Sequence, residues 1–276
     1  MTLALLLATG SLYAVGYRRL ARGGVRFGAG RAWCFAAGLL CLVVALASPL
    51  EPAAETSFTA HVAQHLLLGF VAPPLLALGA PITLALRAGP IRLRRPLARA
   101  LRSRTVAFLT NPIVGWALFV GTPFVYHLTS LFEGALRSDP AHVLEHAALF
   151  GTAVVYWWPI VGVDPSPHPV PYPARLLSLF LAMPAMSFLA LALYMARDPL
   201  YPTYLVTRGG TAAALMDQHA GAVTMWLVGN LWMVLAMLVV LARWKRHDDE
   251  TQRRFEDRGG SPEPVPLISG RRDERR

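Results

Sequence analysis

The sequence predicts an all-α protein, a bundle of seven helices that crosses a membrane repeatedly. Of its 276 residues, 55% are hydrophobic and only 15% are charged. A soluble domain has about 25% charged residues and cannot bury so much apolar surface. The apolar residues are also gathered into runs of about 20, which is the length that crosses a ~30 Å hydrocarbon core. Seven such runs lie near residues 2–17, 32–50, 61–86, 105–126, 142–161, 175–196 and 217–242.

The basic residues predict the orientation of these spans, because cytoplasmic loops carry the excess of Lys and Arg. With the N-terminus outside and the C-terminus in the cytoplasm, 23 of the 26 basic residues lie inside, all except Arg137, Arg197 and Arg208. The net charge of +10 is thus accounted for by basic residues in the cytoplasmic segments. We therefore expect the lipid bilayer, and no nucleic acid, as a partner. Residues 1–245 form the predicted membrane domain. Residues 246–276 are rich in charge and are expected to be a disordered cytoplasmic tail.

Prolines interrupt several of the predicted spans, most densely at Pro73, Pro74 and Pro81 in the third. Proline removes a backbone donor and kinks a helix, and membrane helices tolerate this where neighbouring groups satisfy the freed carbonyls. We therefore expect bent helices.

Six of the eight histidines fall at the outer ends of four different spans, which predicts a metal site at that face. They are His61, His65, His127, His142, His146 and His219. His61 and His65 are four residues apart, as are His142 and His146, so each pair shares one helical face and can chelate one ion. Imidazole suits copper, zinc, iron and nickel. The alternative is that interfacial histidines are merely amphipathic, but two such pairs at one face favour a site, since polar groups within spans are costly.

Other residues near these histidines leave alternatives open. Glu145 completes the pattern H-x-x-E-H, in which a glutamate activates zinc-bound water, but it could equally orient an imidazole. Asp217 is interpreted as the N-cap of the last span or as a co-ligand of His219, although residues two apart face different directions. His127 is the loosest candidate and could lie in a loop. Sulfur ligands for copper are offered by Met195 and Met216 near the outer ends and by Met183 and Met186 deeper, where packing is the usual role of methionine.

Three stretches carry a resemblance to a known family: HVAQHLLLGFVAPPLLALGAPI from His61, HVLEHAALFGTAVVYWWPI from His142 and DQHAGAVTMWLVGN from Asp217. Together they resemble the multi-span cytochrome c oxidase assembly factors of the CtaG type. The resemblance covers about residues 32–242, and His61, His65, His142, His146 and Asp217 match its motifs. Two positions depart from the family pattern, which often has methionine at Val62 and commonly has glutamine at His219.

The resemblance implies a multi-pass protein of the bacterial plasma membrane that helps to mature the copper centres of a haem-copper oxidase. We therefore expect a non-enzymatic factor that binds copper and has oxidase subunits or other copper chaperones as partners. Three alternatives are a haem-binding redox protein, an interfacial zinc hydrolase built on His142, Glu145 and His146, and a copper transporter. The sequence predicts no particular oligomeric state.

Overall fold

The structure is a computed structural model that describes residues 2–257, and every regular element in this range is helical. The prediction of an all-α chain is thereby confirmed. The helices are α1 (Thr2–Arg22), α2 (Ala29–Ala47), α3 (Leu50–Thr56), α4 (Phe58–Leu66), α5 (Ala72–Leu78), α6 (Pro81–Ala88), α7 (Ile91–Leu101), α8 (Arg104–Leu109), α9 (Pro112–His127), α10 (Leu131–Leu136), α11 (Asp139–Val161), α12 (Tyr172–Tyr194), α13 (Pro202–Thr207) and α14 (Thr211–Glu256). A π-helical turn, Leu67–Val71, joins α4 to α5.

Four helical stretches are long and apolar enough to cross a membrane. They are Ala29–Ala47, Phe58–Ala88, Tyr172–Tyr194 and Thr211–Glu256. The other three predicted spans fall on α1, α9 and α11. Of these, α9 has only 16 residues, and α11 carries two histidines and a glutamate near its start. The structure therefore supports a membrane protein, and the count of seven spans stays a prediction.

The third predicted span is interrupted near its prolines, as expected. The interruption is a change from α-helix to a π-helical turn. The π-helical turn ends just before Pro73 and Pro74, neither of which has an amide hydrogen to donate. Because Pro73 has no amide hydrogen, it cannot donate to the carbonyl of Gly69 four residues earlier. The indole Nε1 of Trp157 donates to that carbonyl instead, at 3.0 Å. A second break follows at Ala80, whose φ of 51° separates α5 from α6. A side chain on α11 thus satisfies the backbone that the prolines disrupt.

The packing of the long helices brings the predicted histidine pairs together. Helix α14 packs along α12 and α4, and α11 packs against α9, the π-helical turn and α5. Near the start of α11, the rings of His142 and His146 approach those of His61 and His65 on α4. The largest buried cluster of apolar side chains surrounds this junction and includes Phe58, Phe132 and Trp157.

The last helix differs from its prediction at both ends. It begins at Thr211, before the predicted start at 217, and continues without a break to Glu256. The boundary predicted between residues 245 and 246 therefore falls inside a helix, because the polar residues after it still favour helix formation. The rest of the predicted tail, from residue 258, lies outside the described residues.

Candidate metal centre

Four imidazoles from two helices meet in one cluster. His61 and His65 project from α4, and their Nε2 atoms are 2.8 Å apart. His142 and His146 project from α11 with ring centroids separated by 4.1 Å. Across the two helices, the centroids of His61 and His142 are 5.3 Å apart and those of His65 and His146 are 5.6 Å apart. These four residues are called the histidine cluster below.

The carboxylate of Glu145 lies against this cluster and is fully buried. Its Oε2 is 3.6 Å from Nε2 of His61 and its Oε1 is 3.8 Å from Nε2 of His65. Both contacts are too long for hydrogen bonds. Among the residues that the structure describes, neither carboxylate oxygen has a hydrogen-bond partner, and the same is true of Nε2 of His142 and of His146. A buried charge is costly unless it is paired or binds a metal, so this group of donors is suited to a cation.

Three overlapping sets of donors are compact enough to share an ion. They are His61, His65 and His146; His61, His142 and Glu145; and Glu51, His142 and His146. Within each set the donor atoms lie within 4.8 Å of one another. Donors arranged tetrahedrally at ~2.0–2.2 Å from one ion are about 3.3–3.6 Å apart, so the side chains would have to draw together by roughly 1 Å to bind it.

Glu51 is a candidate ligand that the sequence did not reveal. It lies on the short helix α3, and the amide Nε2 of Gln64 donates both to its Oε2 and to the carbonyl of Ala45. Burial raises the pKa of the Glu51 carboxyl, and the hydrogen bond from Gln64 opposes that rise. In the sequence, Glu51 is only an acidic residue shortly before the first histidine pair. Acidic residues in such positions are too common to predict a ligand.

Tyr204 orients the imidazole of His61. Its hydroxyl donates to the carbonyl of Ala54 at 2.8 Å and is also 3.0 Å from Nδ1 of His61. A phenol has one hydrogen to donate, so we assign the proton of the ring to Nδ1, which donates to the hydroxyl. The lone pair of Nε2 then faces His65 and Glu145. Such outer hydrogen bonds are typical of metal-binding histidines.

His127 lies beside the histidine cluster but belongs to none of the three donor sets. Its Nδ1 is 2.9 Å from the hydroxyl of Tyr201, and its ring centroid is 6.4 Å from that of His65. The residue ends α9 and is buried, so the alternative that it lies in a loop is wrong.

Asp217 performs a different task from either one predicted. It lies inside α14, so it cannot be the N-cap of its own helix; its carboxylate instead caps α4. Its Oδ2 accepts from the amide of Phe58 at 2.7 Å, and its Oδ1 accepts from the hydroxyl of Ser57 at 3.0 Å. Arg208 approaches the same carboxylate at 3.6 Å. Both oxygens are therefore engaged in holding the helix that carries His61.

The two residues after Asp217 also face away from the histidine cluster. The side chain of Gln218 donates to the carbonyl of Leu193 and accepts from the amide of Leu200, which fixes the chain after α12. Nε2 of His219 is 3.3 Å from the carbonyl of Ala196, and its ring packs on Tyr194. The geometry gives no support to a metal-binding role for His219.

Comparisons with known proteins agree with the motifs. The model of a family described as cytochrome c oxidase caa3 assembly factor matches residues 11–247. Uncharacterized proteins of Mycobacterium bovis and Mycobacterium tuberculosis are each 31% identical over 255 residues, and one of Mycobacterium leprae is 31% identical over 258. These alignments cover 89% of this chain but only 38% of each relative, so the chain spans well under half of their length. No solved structure matches.

Proposed function

Because the chain belongs to the cytochrome c oxidase caa3 assembly factor family, we propose that it is a non-enzymatic assembly factor that binds copper at the histidine cluster and aids its insertion into a haem-copper oxidase. The observation that carries the proposal is the buried carboxylate of Glu145, which faces the imidazoles of His61 and His65 and has no hydrogen-bond partner among the described residues. Imidazole and carboxylate bind divalent copper and zinc well, and geometry and metal availability decide between them.

The proposal includes the position of the protein in the cell. Seven spans, with α1, α9 and α11 added to the four apolar stretches, would make it a multi-pass protein of the bacterial plasma membrane. The excess of basic residues in the predicted inner loops and tail supports a cytoplasmic C-terminus, and with it a position of the histidine cluster at the outer face. Copper delivered there can pass to oxidase subunits, or arrive from other copper chaperones, without crossing the bilayer.

The geometry favours ion binding over the alternatives. A haem bound by histidines of two helices needs a large flat macrocycle between the two rings. The four imidazoles of the cluster instead pack directly against one another, with ring centroids 5.3 and 5.6 Å apart across the two helices. A zinc hydrolase needs a glutamate that reaches both a metal-bound water and a substrate, whereas the Glu145 side chain is fully buried and its oxygens are directed at two imidazoles. Both features support a site that holds an ion.

The test is the copper content of the purified full-length protein in detergent. After loading with divalent copper and desalting, metal per chain is measured by mass spectrometry for the wild type and for a variant with His61, His65, His142 and His146 changed to Ala. We expect about one copper per wild-type chain and loss of this copper from the variant. His219→Ala is the matched control, since that histidine lies outside the cluster, and it should keep its copper.

Copper content in the four-histidine variant equal to that of the wild type would overturn the proposal. Because four substitutions at a buried site can prevent folding, Glu145→Gln is measured in parallel, with circular dichroism and gel filtration as checks. Cells that contain only a variant which folds but does not bind copper should assemble an oxidase depleted of copper. Full oxidase activity in such cells would show that oxidase assembly does not require copper binding by this protein, and would refute the assigned role.

A further inference from the structure

A small, partly open cavity lies beside the histidine cluster, with His65 in its lining. Its volume is about 40 Å³, and it is lined by residues of α4, the π-helical turn, α9, α11, α12 and α14. Four lining side chains carry nitrogen or sulfur: His65, His127, Met186 and Met225. The remaining lining is apolar or backbone and includes Val62, Leu66, Gly69, Phe70, Phe119, Pro123 and Leu149. This space is called the Met–His cavity below.

The size of the Met–His cavity restricts its occupant. Roughly 10–15 Å³ of such space is enough for one water, so about 40 Å³ accepts a single ion or a few waters. A water needs two to four polar partners to be stable in a buried space. Thioethers are weak acceptors and most of the lining is apolar, so the cavity is poorly suited to water.

The donor atoms favour a soft ion of low charge. Nδ1 of His127 is engaged by the hydroxyl of Tyr201 at 2.9 Å, and among the described residues no hydrogen bond involves its Nε2. Imidazole and thioether together select Cu(I) over hard divalent cations. No carboxylate lines the cavity, so a divalent ion would be buried there without compensation, at a higher cost than a monovalent one.

We propose that the Met–His cavity is a second metal site, which binds a soft monovalent ion such as Cu(I) through the sulfur atoms of Met186 and Met225 and an imidazole nitrogen of His127 or His65. It differs in chemistry from the histidine cluster, where Glu145 and Glu51 supply oxygen and negative charge for a divalent ion. The choice of copper as the natural ion rests on the proposed function. The existence of the site rests only on the cavity and its donors. Since His65 belongs to both places, one side chain connects the two sites.

Met→Leu substitutions test the proposal, because they remove the sulfur while nearly conserving volume. The probe is Ag(I), a soft monovalent ion that does not change oxidation state under these conditions. Purified full-length protein is titrated with Ag(I), desalted and analysed for silver per chain. The test variant carries Met186→Leu and Met225→Leu. The matched control carries Met183→Leu and Met233→Leu on the same two helices, at positions that do not line the cavity.

We expect the test variant to bind about one silver ion fewer per chain than the wild type, and the control to bind as many as the wild type. X-ray absorption of the silver-loaded protein should show sulfur neighbours whose signal decreases in the test variant alone. Equal silver content in the wild type and the test variant would overturn the proposal, as would a sulfur signal that persists unchanged.

A third variant separates this proposal from the proposed function. His61→Ala combined with His146→Ala removes at least one donor from each of the three sets and leaves every residue that lines the cavity. This variant should lose divalent copper and keep the methionine-dependent silver. If it keeps its divalent copper, the histidine-cluster proposal fails while the Met–His cavity stands. If it loses both metals together, the cavity is not an independent site and the second proposal fails.

Discussion

Replacing Tyr204 by phenylalanine tests whether the histidine cluster is held ready for a metal. The change removes one oxygen atom that joins Nδ1 of His61 to the carbonyl of Ala54. Both partners are buried, since His61 and Ala54 are each 0% exposed, so water cannot replace the hydroxyl without rearrangement. Two buried polar groups then lose their partner, and the ring of His61 loses the contact that keeps the proton on Nδ1.

The expected magnitude follows from these losses. Leaving a buried polar group unsatisfied costs about 1–3 kcal/mol, so the metal-free protein should become less stable by roughly that amount. Removing an outer hydrogen bond from a metal-binding histidine typically weakens metal affinity 10–100-fold, which corresponds to about 1.4–2.7 kcal/mol. The affinity should therefore fall measurably without abolishing binding.

Zn²⁺ is a suitable probe because it is divalent and has no redox chemistry. Its affinity is measured by competition with a chromophoric chelator, for protein in detergent at constant pH, and stability is measured by thermal unfolding. Tyr201→Phe is the matched control: its hydroxyl contacts Nδ1 of His127, which belongs to none of the three donor sets. The control should lose stability but keep its Zn²⁺ affinity. Unchanged affinity in Tyr204→Phe, or an equal loss in Tyr201→Phe, would refute the assignment of the His61 proton.

Three further substitutions probe the scaffold and the charge of the site. Asp217→Ala removes the acceptor of two hydrogen bonds at the start of α4. The free energy of unfolding should fall by about 2–3 kcal/mol, which is measured as a lower melting temperature. An unchanged melting temperature would contradict the capping role. Glu145→Gln removes a buried charge, so Zn²⁺ affinity should fall at least about tenfold while the metal-free protein melts no lower than the wild type. Gly221→Ala places a Cβ atom 2.5 Å from a ring carbon of Phe58 and should lower the stability of the protein by about 1–3 kcal/mol. Gly151→Ala is the control, because open space surrounds that position, and it should leave stability unchanged.

The sequence predicted those parts of the site that depend on local geometry. A spacing of four residues places two histidines on one helical face whatever the rest of the chain does, so both pairs could be identified before the fold was known. Glu145 is adjacent to His146 and was found with it. The all-helical fold was equally accessible, because the lengths of the apolar runs match the thickness of a bilayer.

The parts that the sequence did not predict depend on contacts between distant residues. Tyr204 is 143 positions from His61, and no local pattern distinguishes it from an aromatic residue at a membrane interface. Met225 was not among the candidate methionines because its place at the cavity depends on how α14 packs against α4. The error for Asp217 has a related cause: an acidic residue near the start of a predicted helix suggests an N-cap, but the packing of α14 offers its carboxylate to the start of another helix.

The family motifs therefore separate into groups that offer donors to an ion and groups that hold the donors in place. The first two stretches supply the histidine cluster and Glu145, whereas the last supplies Asp217 and Gln218, whose hydrogen bonds all go to protein groups. Asp217 fixes the first turn of α4, and His61 follows one turn later, so a shift of this cap would move the imidazole relative to α11. If the histidine cluster binds a metal as proposed, its affinity should therefore depend on Asp217, which belongs to none of the three donor sets.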